Sequence, residues 1–437
     1  MDVYADRLAR ALMGLGHHPV VVALEPVPNG VRREIGIEQE EWNGLQVVRI
    51  KFDLATRKKE AFDTLYDREL LDILKQILKS EQPQLFIVMN FYLLTLAAVE
   101  AAKSSDLPVF HIATDFLSIC RRGTLIRWDG SPCSEGQSLK ACTRCFLSHR
   151  VLGRIGSYWL NKLPDPILLA GARRVDSASK HTAIQLAKPF LRQLLIMNKR
   201  LEIVSRLRKK IDRVLAPTLF TTRMYLQGGF SENQLSYLPF GVDPSGPLSR
   251  VRRTRSEKRR FLFIGRLQPY KGLHVLLEAF NGLKEPHDAV VTVYGATDGH
   301  PDYVRRIQLM MDQNPHICFK GPLPPDKLAS AFAETDYFVL PSLWHENSPL
   351  IVLDALQSKT PVIASDVGGV TDLISNGKNG LLFPMGSTRN LREILQRLID
   401  DPDPGAAFQM ETPLMSINDY ARRVVGFFNN TPQGRLP

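Results

Sequence analysis

Short apolar runs alternate with amphipathic segments through the second half of the chain, and this alternation restricts the fold more than any other feature. Between Arg260 and Ile399, runs such as AVVTVY at 289–294 and YFVL at 337–340 are followed by segments with apolar residues at helical spacing. Strands that alternate with helices through short loops predict βαβ units and a parallel sheet covered on both faces. We therefore predict an α/β fold.

The length of the chain and a weaker form of this pattern in its first half predict two tandem, doubly wound, Rossmann-like domains. The 437 residues are 44% hydrophobic, which is enough for two ordinary cores. We expect a first domain over residues 1–250 with a cysteine-bearing insertion at 116–212, in which 175–177 form a short strand. A second domain is expected over 251–415, and a helix and tail at 416–437 are expected to cross back to the first. The two domains are expected to face each other across a cleft.

The strand-to-helix loops of the second half carry most of its polar motifs. Ligands of doubly wound sheets bind at the carboxyl ends of the strands, so these loops are the predicted site. Arg266 and Lys271 lie in one such loop, between Gly265 and Gly272. The planar guanidinium of the arginine and the ammonium of the lysine can both reach phosphate oxygens there. The loops are GRLQPYKG (265–272), Tyr294-Gly295, GPLPP (321–325), SLWHENSP (342–349) and SDVGG (365–369).

Two carboxylates, Glu346 and Asp354, follow the strand predicted at 337–340. On one continuous helix they would be separated by roughly 80° and ~12 Å, too far to pair but suited to one wall of a long polar ligand. A carboxylate can accept two hydroxyl groups at once. Asn347 and Ser348 are predicted to cap the helix start, where free N–H groups favour an anion. The alternative interpretation of the two acids is a solvated helix face.

Four of the five cysteines, Cys120, Cys133, Cys142 and Cys145, lie within the expected insertion. Their C-x12-C-x8-C-x2-C spacing includes one C-x2-C pair, and four thiolates can hold a structural Zn²⁺ tetrahedrally. Because the spacing is not that of a standard zinc knuckle, free thiols and disulfides stay open as alternatives. Cys318, at the end of a predicted strand, is expected in the core.

The net charge of +11 is concentrated in basic segments around 192–213 and 250–260. Solvated surfaces and attraction to an anionic membrane are the two interpretations left open. Nucleic acid is not expected as a partner, because no recognised binding motif and no basic–aromatic alternation accompanies the charge. The clustered cysteines do not resemble a disulfide scaffold, so we expect a cytoplasmic protein, with peripheral contact at the inner face of the membrane as the alternative.

Taken together, the strand-to-helix loops of the second half resemble those of the retaining nucleotide-sugar glycosyltransferases of family 4, which have the two-domain GT-B architecture. The resemblance covers nearly the whole chain and is strongest over 261–400. It rests on GRLQPYKG, the Gly321 turn, HENSP with the second acid at Asp354, and TPVIASDVGG before NGKNGLLF. It implies an acceptor-side first domain and a second domain that binds the nucleotide sugar.

The activity implied by the resemblance is transfer of a hexose from a UDP- or GDP-linked sugar to a hydroxyl acceptor, with retention of the anomeric configuration. The acceptor would be a glycan, a lipid-linked molecule or a small molecule, in cell-envelope polysaccharide biosynthesis. No cofactor is implied for catalysis. A catalytically impaired paralogue that binds nucleotide sugars and a sugar-nucleotide epimerase of the same architecture are the alternatives.

Residue roles in the second half follow from the same resemblance. Arg266 and Lys271 would stabilise the departing diphosphate, and Glu346 would bind hydroxyls of the donor sugar. Asp354 would bind the ribose, at a position where the family usually has the longer Glu. Further donor contacts are implied for Gly265, for the base-binding turn at Pro322 and Leu323, and for the backbone of Asn347, Ser348, Pro349 and Leu350.

In the first half, the resemblance assigns Asp115 to the donor sugar or the acceptor. The family often has His-Asp here, and Thr114 stands in place of the His. His111, three residues earlier, is either a core histidine or a substitute for the missing one. Family members also begin with a strand and a glycine-rich loop before the helix that residues 4–15 resemble, so the resemblance implies that this sequence lacks both.

Overall fold

The chain divides into two compact units, each built around a parallel sheet, and the predicted α/β class is confirmed. The first unit comprises residues 1–217, 221–238 and 420–437, and the second comprises 218–220 and 239–419. The computed structural model describes residues 2–27, 36–53, 64–133, 137–147, 163–177, 182–285, 288–401, 408–410 and 413–431.

The first unit contains a four-stranded parallel sheet in the order β4-β5-β6-β7 and a three-stranded sheet in which β1 and β3 are parallel and β2 is antiparallel to β3. The strands are β1 (Val20–Val27), β2 (Gly36–Trp42), β3 (Leu45–Asp53), β4 (Phe86–Val88), β5 (Val109–Ile112), β6 (Arg213–Ala216) and β7 (Leu235–Tyr237). The helices of this part of the chain are α1 (Asp2–Gly14), α2 (Arg68–Glu81), α3 (Ala97–Ser104), α4 (Leu139–Leu147), α5 (Asp165–Ser177), α6 (Thr182–Arg208) and α7 (Leu219–Gln227).

Helix α2 shows how the local sequence determines an element of this unit. The Asp67 carboxylate accepts the backbone N–H groups of Glu69 and Leu70 and so caps the helix start. The chain leaves the helix through Gln82, which adopts the left-handed conformation at φ 46°. One apolar stripe faces the core, formed by Leu70, Leu71, Leu74, Ile77 and Leu78.

The second unit is a six-stranded sheet in the order β10-β9-β8-β11-β12-β13, and every pair of neighbouring strands is parallel. The strands are β8 (Arg259–Ile264), β9 (Ala289–Tyr294), β10 (Ile317–Phe319), β11 (Tyr337–Leu340), β12 (Val362–Ser365) and β13 (Gly380–Phe383). The helices are α8 (Leu273–Asn281), α9 (Pro301–Asp312), α10 (Leu328–Ala333), α11 (Leu350–Gln357), α12 (Val370–Leu373), α13 (Thr388–Asp400) and α14 (Ile417–Asn429), the last of which continues into the first unit.

Helices cover both faces of this six-stranded sheet, as the apolar pattern predicts. Along β8, Phe261 and Phe263 join the core cluster formed with α8, α9 and α13. Leu262, between them, points to the other face and packs with residues of α10, α11 and α12. Successive side chains of a strand alternate between faces, so a strand buried on both sides is apolar throughout.

Residues 239–250, which precede β8, belong to the second unit. The boundary therefore lies before residue 250, where it was expected from the sequence. Leu248 packs within the core cluster of that unit. Val242 donates its N–H to Met415 O at 2.9 Å and accepts the N–H of Ile417 at 2.8 Å. Segment 239–250 is therefore held by the sheet's own helices and by the chain that returns before α14.

The C-terminal helix α14 places its main part in the first unit, which includes residues 420–437. Tyr420 is buried, and its ring meets that of Tyr4 edge-on at 5.6 Å. The Arg213 guanidinium lies 4.7 Å from the centre of the Phe427 ring. One face of α14 therefore packs against α1 and the start of β6.

Three local predictions were wrong or incomplete. Residues 175–177 lie at the end of α5 and are helical, because the helical run from Asp165 outweighs the β-branched Val175. Strand β2 was not predicted, because this exposed strand consists largely of polar residues and lacks an apolar alternation. Cys318 is exposed, because β10 is a short edge strand.

The basic segments do not form one solvated surface. Arg200 is 2% exposed, and Arg208 donates to Gly228 O at 2.5 Å. Arg260 forms an ion pair with Asp336 at 2.9 Å. Much of this charge therefore holds structure in place. Within the described residues, no helix combines the length and apolarity needed to cross a bilayer.

Replacing Leu276 by Ala tests the core on the α8 face of the sheet. Leu276 is 0% exposed, and its loss is expected to lower the free energy of unfolding of the second unit by about 2–5 kcal/mol. Leu309→Ala is the matched control, because Leu309 is 63% exposed on α9; its effect should stay within about 0.5 kcal/mol. Urea denaturation followed by circular dichroism measures both. Equal losses for the two variants would contradict this core assignment.

Candidate active site

The order of strands in the second unit marks one position as the ligand site. From β8 the chain moves outward through β9 and β10, then crosses to β11 on the other side of β8 and moves outward again through β12 and β13. The direction reverses between β8 and β11, and ligands of such sheets bind at this switch point, beyond the carboxyl ends of the strands. The loops after these two strands are 265–272 and 341–349, both predicted from their motifs.

The two switch-point loops are in direct contact. Leu343 donates its N–H to Tyr270 O at 2.8 Å, and the Tyr270 and Trp344 rings lie 4.8 Å apart. Gly272 adopts φ +72°, and a Cβ there would lie 1.8 Å from Pro341 O. Only glycine allows this conformation together with this approach of backbones.

Glu346 is 5% exposed at this contact, and hydrogen bonds to one of its two carboxylate oxygens hold the side chain in place. Oε1 accepts hydrogen bonds from Lys271 Nζ at 2.8 Å, Ser342 Oγ at 2.7 Å and Trp344 Nε1 at 2.6 Å. Among the described residues, no group donates a hydrogen bond to Oε2. A carboxylate fixed through one oxygen can offer the other to ligand hydroxyls.

The two predicted cations occupy different surroundings. Lys271 is partly buried, with its ammonium 4.7 Å from the Trp344 ring centre and bonded to Glu346. Arg266 is exposed and pairs with Asp298, which is also exposed. Exposed ion pairs contribute about 0–1 kcal/mol, so an anionic ligand can replace Asp298 as the partner of Arg266 at little cost.

The Gly368-Gly369 turn after β12 supports the backbone that carries Glu346. Gly369 donates its N–H to Glu346 O at 2.7 Å. A Cβ on Gly369 would lie 1.6 Å from Asn347 O, and one on Gly368, at φ +49°, would lie 2.4 Å from Glu346 O. The glycine pair of the SDVGG motif is therefore required by close backbone approach.

The predicted capping by Asn347 and Ser348 was wrong. Helix α11 begins at Leu350, its N-cap is Pro349, and no side chain caps it. The residue before a proline disfavours helical backbone, so the helix starts after it. Glu346 thus precedes the helix, and the separation expected for one continuous helix does not apply.

Asp354 is 5% exposed on α11, as buried as Glu346. The alternative of a solvated helix face for these two acids was therefore wrong. Because buried carboxylates need partners, both acids are built into the domain. Contact between Asp354 and a ribose stays a prediction.

Among the described residues, three buried polar atoms in the switch-point loops have no hydrogen-bond partner: Gln268 Oε1, His345 Nδ1 and Ser348 Oγ. The His345 ring lies 5.1 Å from that of Phe220, and burial lowers the pKa of this imidazole, which favours its neutral form. Buried polar atoms are rarely left unpaired in folded proteins. These three atoms are available to bond a polar ligand or water at the switch point.

The predicted base-binding turn, at Pro322 and Leu323, follows β10, at the same edge of the sheet as the loops after β8 and β9. Gly295, after β9, donates its N–H to Gly321 O at 2.9 Å. A Cβ on Gly295 would lie 2.2 Å from Gly265 O. The loop that carries Pro322 and Leu323 is thus connected to the Arg266 loop through Gly295, while their contact with a base stays a prediction.

Asp115 of the first unit has both carboxylate oxygens engaged by backbone. Oδ2 accepts the N–H of Phe91 at 3.0 Å, and Oδ1 accepts the N–H of Leu117 at 2.7 Å. Burial raises the pKa of this carboxyl group, and the two N–H bonds oppose the rise. Asp115 therefore ties together the loops after β4 and β5, and a role toward substrate stays a prediction.

His111 lies in the core of the first unit, and the core interpretation is confirmed. It is 0% exposed, with Nδ1 2.9 Å from Val88 O and Nε2 2.8 Å from the Tyr225 hydroxyl. A carbonyl oxygen only accepts, so Nδ1 carries the proton. Burial lowers the pKa of His111 to about 4.

The four clustered cysteines line one cavity of about 240 Å³ in the first unit, and the structure forms no disulfide among these described residues. Burial, with a smaller contribution from the neighbouring thiols, raises the pKa of Cys142 to about 11. In the part of the chain that the structure describes, no three Cys, His, Asp or Glu side chains already surround a point suited to a metal ion. Zinc binding by Cys120, Cys133, Cys142 and Cys145 stays a prediction.

Comparison with known proteins finds one family model that matches the second unit. Residues 247–413 match the model of the family "Glycosyl transferases group 1". Over these residues the chain is similar to that family. The resemblance derived from the loop motifs is confirmed for this stretch.

Curated relatives include two proteins named D-inositol 3-phosphate glycosyltransferase. The protein from Corynebacterium glutamicum is 33% identical over 147 residues, which is 32% of this chain and 35% of the relative. The one from Rhodococcus jostii is 32% identical over 158 residues, 35% of each. The chain thus spans about a third of the length of these relatives.

Solved structures resemble the chain over nearly its whole length. Sucrose-phosphate synthase from Thermosynechococcus elongatus has a TM-score of 0.64 at 17% identity, covering 98% of this chain and 92% of that one. A glycosyltransferase from Rickettsia africae has 0.59 at 14%, covering 98% and 93%. Anabaena HepE in complex with UDP and glucose has 0.56 at 13%, covering 89% and 87%. These likenesses confirm the fold, with two Rossmann-like domains of the GT-B architecture.

Gly369→Ala tests the glycine turn behind Glu346. The added Cβ would overlap Asn347 O, so we expect a loss of about 1–3 kcal/mol in the free energy of unfolding. Gly426→Ala in α14 is the control: a Cβ there meets nothing within 4 Å, and alanine favours helix by up to about 1 kcal/mol. Thermal denaturation compares the two variants. A Gly369→Ala protein as stable as the wild type would refute the close approach.

His111 should make the stability of the first unit depend on pH. Its folded pKa of about 4 lies below the unfolded value, so the unfolded chain binds more protons between the two. This contribution, about 3 kcal/mol from the shift, is present above pH ~6.5 and is lost as the pH falls toward the folded pKa. Urea denaturation from pH 7 to 4.5 should show a smaller decline for His111→Gln than for the wild type or for exposed His17→Gln. Parallel profiles for all three proteins would contradict it.

Proposed function

We propose that this protein transfers a hexose from a nucleoside diphosphate sugar to a hydroxyl acceptor, with retention of the anomeric configuration. One observation carries the proposal: Lys271 and Glu346 meet at the switch point, an ammonium suited to phosphate beside a carboxylate with one oxygen open to sugar hydroxyls. The match of the second unit to the group 1 family model supports it.

Stabilisation of the leaving group is the proposed task of Lys271 and Arg266. Negative charge grows on the diphosphate as the glycosidic bond breaks, and fixed cations lower the barrier when they act where charge develops. Lys271 is already oriented by Glu346 and Trp344. Arg266 would exchange its exposed partner Asp298 for a phosphate oxygen. These two groups make a metal cofactor unnecessary in this proposal.

Orientation of the donor sugar is the proposed task of Glu346. Its Oε1 is held by Ser342, Trp344 and Lys271. The side chain is therefore already fixed before the sugar binds, and no further ordering of it is required. Its Oε2 would accept two sugar hydroxyls. The unpaired Ser348 Oγ, in the same loop, would donate to the sugar or the diphosphate.

Retention is proposed to follow from attack on the face that the diphosphate leaves. The acceptor oxygen forms the new bond to the anomeric carbon as the bond to the diphosphate oxygen breaks. The acceptor proton passes to a departing phosphate oxygen. This route requires no nucleophile from the protein.

UDP is the proposed nucleotide of the donor. HepE from Anabaena, which shares the fold, was solved with UDP and glucose and with UDP-glucose. The relatives named for inositol 3-phosphate support a hydroxyl acceptor, and the class of acceptor is left as a glycan, a lipid-linked molecule or a small molecule.

A thermal-shift screen tests donor binding. The apparent stability of the second unit should rise with UDP and UDP-hexoses, by about 2.7 kcal/mol when the ligand is at 100 times its Kd. GDP and its sugars are the comparison, and a larger shift with GDP would replace UDP in the proposal. Glu393→Gln, an exposed change on α13, should respond as the wild type does. No shift with any nucleoside diphosphate or its sugars would refute the donor site.

Glu346→Gln and Lys271→Met test catalysis. Each should lower turnover, measured as UDP released from UDP-hexose in the presence of acceptor, by about 100- to 1000-fold. Glu393→Gln should retain full turnover. NMR of the product should show the anomeric configuration of the donor. Binding without turnover in the wild type would instead indicate an impaired paralogue, and interconversion of UDP-hexose epimers would indicate an epimerase.

A further inference from the structure

Three separate pieces of chain bring their cysteines to one cavity in the first unit. Cys120 lies in the turns after β5. Cys133 ends a short hairpin whose Ile126 and Pro132 form an antiparallel bridge. Cys142 and Cys145 lie one turn apart on α4, and residues at this spacing share a helix face. All four thiols line the same cavity.

The four thiols are close enough to interact with one another. Cys142 interacts electrostatically with each of the other three, and Cys145 interacts with Cys120 and Cys133. The backbone N–H of Trp128, in the hairpin, donates to the Cys145 sulfur.

The surroundings of the thiols carry an excess of positive charge. Arg200 is buried, donates to Leu117 O at 2.5 Å, and interacts with Cys120 and Cys142. A buried charge is costly unless opposite charge lies nearby. Asp115 supplies part of it. The cavity is lined by one acidic residue, Asp129, and by four further arginines: Arg121, Arg122, Arg127 and Arg144.

We propose that Cys120, Cys133, Cys142 and Cys145 bind one structural Zn²⁺. On binding, the four thiols release four protons to solvent and form a tetrathiolate centre of charge −2, which the surrounding arginines balance. The sulfurs line the cavity without yet converging on one point. Binding therefore rotates these side chains inward, to about 2.3 Å from the ion.

Such a centre would hold the insertion of the first unit together. Helix α4 packs on α5 and α6 through Leu139, Leu168 and Leu194. Zinc would link this helical cluster, through Cys142 and Cys145, to the hairpin and to the chain that leaves β5. Metal affinity then adds directly to the stability of the fold. The inference is independent of the proposed transferase activity, because none of these residues belongs to the candidate active site.

Metal analysis of the full chain, purified without metal-affinity steps, tests the proposal. Elemental analysis should give about one zinc per chain, the stoichiometry of a closed tetrathiolate site. Cys142→Ser and Cys145→Ser should lose most of the zinc. Cys318→Ser is the matched control, because this exposed cysteine lies on β10 of the second unit, and its zinc content should equal that of the wild type.

Two measurements on the wild type keep the test valid if the serine variants do not fold. Titration with an organomercurial should release zinc in step with the blocking of four thiols. Exchange of zinc for Co²⁺ should produce thiolate-to-cobalt charge-transfer absorption and tetrahedral visible bands. The proposal would be overturned by a wild type that contains no zinc and also fails to bind Co²⁺. It would also be overturned if the purified protein contained iron with inorganic sulfide in place of zinc, or if freshly purified protein held disulfides among these cysteines.

Discussion

The close approach of the loops after β8 and β11 is the constraint on which the second unit depends. Gly272 allows the backbone of the first loop to lie against Pro341 O of the second. That contact brings Lys271 to Glu346, and the Gly368-Gly369 turn supports Glu346 from the other side. Glycines thus determine where the charges of the site meet.

Glu346 divides its two oxygens between structure and ligand. Three donors hold Oε1, which offsets the cost of burying the carboxylate. The partner of that charge is Lys271, the cation proposed to bind the diphosphate. Donor sugar and leaving group would therefore bind to two halves of one ion pair, so a change to either residue affects both subsites.

The alternating pattern was sufficient to predict the parallel sheet, and the loop motifs to predict the resemblance of the second unit, because periodicity and loop motifs are local properties. Other features depend on contacts that sequence spacing does not contain. Ser342 and Trp344 were not predicted as partners of Glu346, because nothing local indicates where a side chain in a loop points. The cap of α11 was wrongly predicted, because Pro349 itself occupies the N-cap position and the residues before it lie outside the helix. The burial of Arg200 was likewise hidden in a segment whose charge is typical of a surface.

The groups of the candidate donor site in the second unit lie on loops of one sheet and on helix α11, within residues 239–419. The proposed donor chemistry therefore depends on one continuous stretch of the chain. The family model matches residues 247–413, whereas likeness in structure covers 98% of the chain. The family model thus matches the sequence of the second unit, while the likeness of fold extends through both units. Substitutions in the first unit would therefore leave the groups of this candidate site in place.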